Sequence, residues 1–185
     1  LTNDQINAIN EINNDISSDK RMFRILQGDV GSGKTVVSLI TSQNVVLNNY
    51  QVAFMAPTEI LAKQHYNLYK KIFSNSKTVD LLTGKTEYKK RKNILKKLEN
   101  NKINIIFGTH ALFQDKIKFK NLGLIIVDEQ HKFGVNQRKK LSEKGNSNCD
   151  VLVMSATPIP RTMMMTLYGD MDITLIKSKP KNKKE

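Results

Sequence analysis

The sequence predicts an α/β fold: a doubly wound, mostly parallel sheet flanked by helices. Three observations predict it. Short, nearly continuous apolar runs recur along the chain, as strands buried on both faces of a parallel sheet require. Segments of helical periodicity alternate with these runs. The first run leads directly into a glycine-rich turn that opens a helix, Gly28-Asp-Val-Gly-Ser-Gly-Lys34-Thr35.

The elements follow in order. Thr2 and Gln5, in LTNDQINAINEI, have the T-x-x-Q spacing of a capping box for a first helix. Met22–Gln27 reads as a strand and Lys34 to about Leu47 as a helix. Gln51–Ala56 is the next strand and Glu59–Phe73 the next helix, with Leu61, His65, Leu68 and Ile72 on one face. His65 on that stripe reads as a core residue. Val79–Leu82 is a short strand. Glu87–Asn100 is helical, with Tyr88, Ile94, Leu95 and Leu98 as a narrow apolar stripe. Ile103–Phe107, Leu122–Val127 and Val151–Met154 complete the set of buried strands. In such a sheet ligands bind at the carboxyl ends of the strands.

Composition narrows the function classes. The chain has 185 residues, enough for one α/β domain with a real core. Thirty Lys and Arg against seventeen Asp and Glu give a net charge of +13. Such a balance fits a polyanionic partner, nucleic acid first, and fits equally a Lys-rich solvated surface. Residues 85–102 carry eight Lys or Arg against two Glu, a solvated helix face or a DNA-backbone contact. A single cysteine, Cys149, excludes a disulfide framework and a cysteine-based zinc site within the chain, and reads as a core or edge residue. The three histidines are too scattered to suggest a metal site. No apolar run approaches the roughly 18 residues of a membrane span, and no signal peptide opens the chain. A cytoplasmic protein without a membrane partner is therefore expected.

The segment Gly28–Thr35 matches G-x-x-x-x-G-K-[ST] in full, in the strand-then-helix context the motif requires. Gly28, Gly31 and Gly33 permit a tight turn, and the intervening Asp29, Val30 and Ser32 offer backbone N–H groups to phosphates. Lys34 reaches the β- and γ-phosphates, and the Thr35 hydroxyl is placed to ligate Mg²⁺. The nucleotide's second carboxylate-bearing half is expected at LGLIIVDEQH, residues 122–131. There an apolar strand ends in Asp128-Glu129, beside the phosphate loop if the two strands are neighbours. Asp128 would hold Mg²⁺ through its water shell, and Glu129 would orient and deprotonate the attacking water. Alone, an acidic pair at a strand end is as readily a solvated turn.

Gln130-His131 completes a D-E-x-H box, and Ser155-Ala156-Thr157 follows a later strand. With RILQGDVGSGKT, APTEILAKQHY, GTHALFQD, VDEQHKFGVNQR and MSATPIPRT, these stretches resemble the DExH helicases of superfamily 2, and within them the RecG family. The resemblance spans nearly the whole chain in order. It implies a RecA-like P-loop NTPase fold, ATP and Mg²⁺ as cofactors, and ATP hydrolysis coupled to translocation on, and remodelling of, forks and Holliday junctions in recombination and repair. It further implies that Gln5 reads adenine, which leaves its capping role open beside it. Gln130, His131, Ser155, Ala156 and Thr157 would couple the γ-phosphate state to movement against a second lobe; for His131 an ordinary packed histidine is the alternative. Pro57, Thr58, Gly84, Thr109 and His110 would lie along a DNA backbone, which positions a strand without reading it.

The resemblance implies a domain of residues 1–176, the first of two RecA-like lobes, and a basic linker, 177–185, towards the second. That second lobe, with its arginine finger, and a wedge domain lie outside the 185 residues. The chain alone is thus expected to bind ATP weakly, turn it over very slowly, and not unwind DNA. The transcription-repair coupling translocases are similar, but carry D-E-E-H where this chain has D-E-Q-H, and tend to Phe at the position of Ser32. A free-standing P-loop kinase or switch NTPase is the remoter alternative: Asn101-Lys102-Ile103-Asn104 fails the guanine motif N-K-x-D at its last residue. A non-catalytic DNA-binding module is disfavoured by intact Lys34, Thr35, Asp128 and Glu129.

Overall fold

A computed structural model of the chain describes residues 1–73, 78–114, 116–128, 149–157 and 171–178. The chain opens with α1 (Asn3–Ile16), where the capping box forms as its spacing predicts: Gln5 N–H donates to Thr2 Oγ1, and Thr2 N–H to Gln5 Oε1. Then follow β1 (Phe23–Gly28), α2 (Lys34–Leu47), β2 (Gln51–Met55), α3 (Glu59–Ile72), β3 (Val79–Leu82) and α4 (Tyr88–Glu99). After β4 (Ile105–Gly108) comes a 3-10 turn, His110–Phe113, then β5 (Leu122–Asp128), β6 (Asp150–Ser155) and β7 (Asp172–Ile176). Helices α2 and α4 both stop at asparagine pairs, and the second residue of each, Asn49 at φ 65° and Asn101 at φ 56°, takes the left-handed conformation that ends a helix.

The strands form one sheet of order β3-β4-β2-β5-β6-β1-β7, and every pairing is parallel. Side-chain alternation sends the residues of each strand to both faces of the sheet, and the central strands β2, β4, β5 and β6 are buried on both. Leu26, Phe54, Phe107, Ile126 and Leu152 pack on one face with Ala8 and Ile12 of α1, Val37 of α2 and Tyr69 of α3. Ile25, Ala53, Ile106, Ile125 and Val153 pack on the other with Ile94 and Leu98 of α4. The predicted fold class stands: a RecA-like P-loop NTPase sheet with helices on both sides.

Three expectations are corrected. Helix α3 buries Ala62, His65 and Tyr69, a stripe turned from Leu61, His65, Leu68 and Ile72 so that Ile72 faces solvent. Tyr88 does not belong to the apolar stripe of α4; it is 80% exposed, because the helix starts at that residue and only its later turns reach the sheet. The sequence also hid β7, an edge strand with an alternating buried and exposed pattern and no apolar run.

Two polar clamps hold the layers. Gln51 is fully buried at the start of β2 and uses its whole amide. Nε2 donates to the carbonyls of Leu98 (2.9 Å) and Ile103 (2.7 Å), and Oε1 accepts from the N–H groups of Lys120 (2.8 Å) and Asn121 (2.9 Å). Arg24 of β1 donates to Asp15 (2.7 Å) and Glu11 (3.3 Å) of α1 and to Thr174 (2.7 Å) of β7, joining three elements.

Candidate nucleotide site

The sheet gathers the motif residues along its carboxyl edge. Strand β1 runs out into the phosphate loop, and its Gln27 pairs in register with Ser155 of β6, whose Met154 pairs with Asp128 of β5. The loop strand and the acidic strand are therefore not neighbours: β6 lies between them and brings Ser155 into the middle of the site. The conditional placement of Asp128 directly beside the loop is corrected accordingly. The spacing of Ser-Ala-Thr in sequence gave no sign that its strand is the central one.

The loop has the shape its glycines require. Gly31 at φ 84° and Gly33 at φ 90° adopt left-handed backbone, which a side chain would strain, and Gly33 is the residue from which α2 departs. Asp29 and Val30 form the exposed crest. Lys34 folds back so that its Nζ donates to the carbonyls of Gly28 and Asp29. The Oγ of Ser32 is buried and makes no hydrogen bond among the described residues. A buried hydroxyl without a partner, in a turn of left-handed glycines at a helix N-terminus with a lysine ammonium above it, fits the oxygen-rich, doubly charged phosphates of a nucleotide. Thr35, in the first turn of α2, and Asp128, at the end of β5, supply the oxygen donors that suit Mg²⁺.

Gln5 fills the capping role that its T-x-x-Q spacing predicts and also touches the phosphate loop. It is 3% exposed, caps α1 through Oε1, and donates from Nε2 to the Ser32 carbonyl at 2.7 Å. Its amide thus lies against the phosphate loop itself.

Asp128 has a partner the sequence did not announce. His65, buried on α3, places Nε2 2.7 Å from Asp128 Oδ2. The reading of His65 as a core residue is right about burial and incomplete about chemistry; the contact spans 63 residues, and helical periodicity carries no sign of it. Ser155 is buried, and its Oγ donates to the Thr157 carbonyl at 3.1 Å, which closes the Ser155-Ala156-Thr157 turn. Glu129, Gln130 and His131 lie outside the described residues.

The five expected DNA-contact residues share the same edge, on the far side of β5. Pro57 and Thr58 follow β2, and Thr58 Oγ1 caps α3 by accepting from Leu61 N–H at 3.3 Å. Gly84 follows β3 and is exposed; Thr109 and His110 follow β4, with Thr109 buried and His110 exposed. Glu59, which sequence reasoning passed over, ties two of these segments: Oε1 accepts from Lys85 N–H at 3.3 Å, and Oε2 faces the Lys85 ammonium at 4.0 Å.

Residues 2–166 match the DEAD/DEAH box helicase family. The chain is similar over its whole length to the ATP-dependent DNA helicases RecG of Aquifex aeolicus (strain VF5) and of Staphylococcus aureus (strain NCTC 8325 / PS 47), at 52% identity to each. It spans about a quarter of those relatives, 24% and 27% of their lengths. Among solved structures it resembles RecG bound to a three-way DNA junction, with a TM-score of 0.80 and 46% identity over 100% of this chain and 25% of that one. It shares its fold with the UvsW helicase from bacteriophage T4, at a TM-score of 0.69 and 17% identity over 96% of this chain and 60% of that one. The phosphate loop, the acidic strand and the Ser-Ala-Thr turn between them thus stand in a chain that belongs to the DEAD/DEAH box helicase family.

Proposed function

We propose that the chain is the ATP-binding motor lobe of a RecG-like DNA helicase, in which hydrolysis drives translocation on, and remodelling of, branched DNA. The observation that carries this reading is the single carboxyl edge on which the phosphate loop, Ser155, Asp128 and the segments at Thr58, Gly84 and His110 all emerge. One edge then serves nucleotide at its β1 end and a DNA backbone at its β3 end, with β5 and β6 between. The likeness to a RecG structure that holds a three-way DNA junction supports the branched substrate.

In this reading Gly28, Asp29, Val30, Gly31, Ser32 and Gly33 wrap the phosphates with backbone N–H groups, and the amide of Gln5 faces the adenine. Lys34 leaves the Gly28 and Asp29 carbonyls for the terminal phosphates. Thr35 and Asp128 hold Mg²⁺, which supplies neutralisation of the charge that develops on the phosphate oxygens. Glu129 orients the attacking water and accepts its proton. Gln130, His131 and the Ser155–Thr157 turn sense the γ-phosphate. On the DNA side, Thr58 and His110 are the exposed side chains, with Pro57, Gly84 and the buried Thr109 shaping the backbone path. Residues 177–185 lead as a basic linker to a second RecA-like lobe that supplies the arginine finger, and an amino-terminal wedge domain selects the branch.

The test is ATP turnover by the chain alone and with its second lobe, each with and without a three-way junction. Because an arginine finger is worth roughly 10³–10⁵ in rate, turnover should rise by orders of magnitude only when lobe and junction are both present. Glu129→Gln should abolish that rise. Rapid turnover by the chain alone, indifferent to DNA, would mean a self-contained P-loop enzyme and would overturn the proposal.

A further inference from the structure

The first turn of α1 touches two things at once. On one side Gln5 Nε2 donates to the Ser32 carbonyl, and a Cβ added to Gly33 would stand 2.2 Å from that Nε2, so glutamine and phosphate loop are in full contact. On the other side Asp4 Oδ2 accepts from the backbone N–H groups of Lys177 (3.0 Å) and Ser178 (2.8 Å), where the chain leaves β7. Ser178 Oγ adds a hydrogen bond to Thr2 Oγ1 at 3.1 Å, the same oxygen that accepts from Gln5 N–H. The N–H and then the side chain of Ser178, followed by the Lys177 N–H, hold the Asp4 carboxyl below its ordinary pKa, the mark of an acceptor engaged as an anion. The exit strand also meets the loop directly: a Cβ on Gly28 would lie 2.7 Å from the Ile176 carbonyl oxygen. At the far end of α1, Arg24 clamps Glu11 and Asp15 to Thr174 of β7. Helix, phosphate loop and departing chain therefore share one hydrogen-bonded unit.

We infer that Asp4 is a positioning residue that latches the chain leaving β7 onto the helix turn bracing the phosphate loop, so that bound nucleotide and an ordered 177–178 segment favour each other. The inference rests on the nucleotide reading above and adds to it a route by which the nucleotide site reports to whatever residues 179 onward connect. Favouring must run both ways: if the latch raises nucleotide affinity by a given factor, nucleotide closes the latch by the same factor.

The test uses the 185-residue chain with MgATP, binding read by calorimetry and the amide exchange of Lys177 and Ser178 read by NMR. In the wild type, saturating MgATP should slow exchange at both amides. Asp4→Ala should weaken MgATP binding about 5-fold or more, the low end of ordinary coupling between sites. Asp4→Asn, which keeps an acceptor oxygen for both N–H groups, should restore most of the affinity. A charge effect alone has the opposite sign, because removing a carboxylate near a polyanion tightens binding in both variants. Equal or tighter binding in Asp4→Ala, or exchange at 177 and 178 indifferent to saturating nucleotide, overturns the inference and leaves the nucleotide reading intact. A folded wild-type chain that binds no MgATP overturns both.

Discussion

Asp128 and His65 meet at 2.7 Å on the floor of the site, and this pair sets how steadily the carboxylate is aimed. A group that orients a metal-site carboxylate typically governs activity by roughly 10- to 100-fold. In the intact enzyme ATP turnover should therefore fall about 10-fold or more in His65→Ala, and less in His65→Gln, which keeps a donor. Rates are to be compared well below each variant's melting temperature, because His65 also packs on Phe54 at a ring distance of 5.0 Å. Equal rates in all three proteins would reduce the imidazole to packing. Asp150 makes a second residue-scale case. Burial pushes its carboxyl up to about 6, against the pull of Met22 N–H and Arg21. A raised folded-state pKa contributes stability that is complete below the unfolded value of 3.8 and is lost as pH climbs through about 6. Asp150→Asn, neutral throughout and still an acceptor for Met22 N–H, should melt higher than wild type at pH 8, with the gap closing towards pH 4. Motif spacing put Lys34 at the start of α2 and Asp128 at the end of β5, where the structure has them, because such motifs tie residue types to a strand end and a helix start. His65 and Glu59 were not legible, because their partners are set by how α3 lies on the sheet.

Elements followed the sequence where burial alone decides them. Strands β2, β4, β5 and β6 are enclosed on both faces and read as unbroken apolar runs, whereas β7 at the sheet edge has water on one side and no such run. The buried face of α3 was misjudged by one position: Tyr69 packs its ring on Phe107 of β4, and the small Ala62 is buried where Leu61 and Leu68 stay half-buried. What fastens β7 in place is polar: Arg24 reaches across from β1 to Thr174 and into α1. Arg24→Met keeps the volume and removes these bonds. The cost should be roughly 2 kcal/mol by urea denaturation, below the 3–5 of a fully buried pair because Glu11 and Asp15 stay partly hydrated. A change under about 0.5 kcal/mol would show that apolar packing alone seats the strand.

For the whole molecule, the order of strands mattered more than their existence. Alternating elements imply a doubly wound sheet, yet nothing in the chain says that β6 separates β1 from β5; that follows from the crossover between β1 and β2, which leaves two strand positions that β5 and β6 fill later. Net charge acts at the same scale. With +13 on the chain, junction affinity should fall steeply with salt. If roughly four phosphates are contacted, binding should weaken about 100-fold between 50 and 200 mM salt, and a flat salt profile would remove the backbone track from the proposal. The edge of the sheet opposite the site carries a different lesson, in the glutamine that opens β2. All four hydrogen-bonding positions of the Gln51 amide are used, across two separate loops. Glutamate has the shape but no donor for the Leu98 and Ile103 carbonyls; asparagine has the donor but is one carbon short; leucine strands four backbone groups. Mutation drifting through this gene would find position 51 closed to all three by backbone hydrogen bonding alone, so invariance there among descendants would record architecture, and reading it as a trace of catalysis would be a mistake.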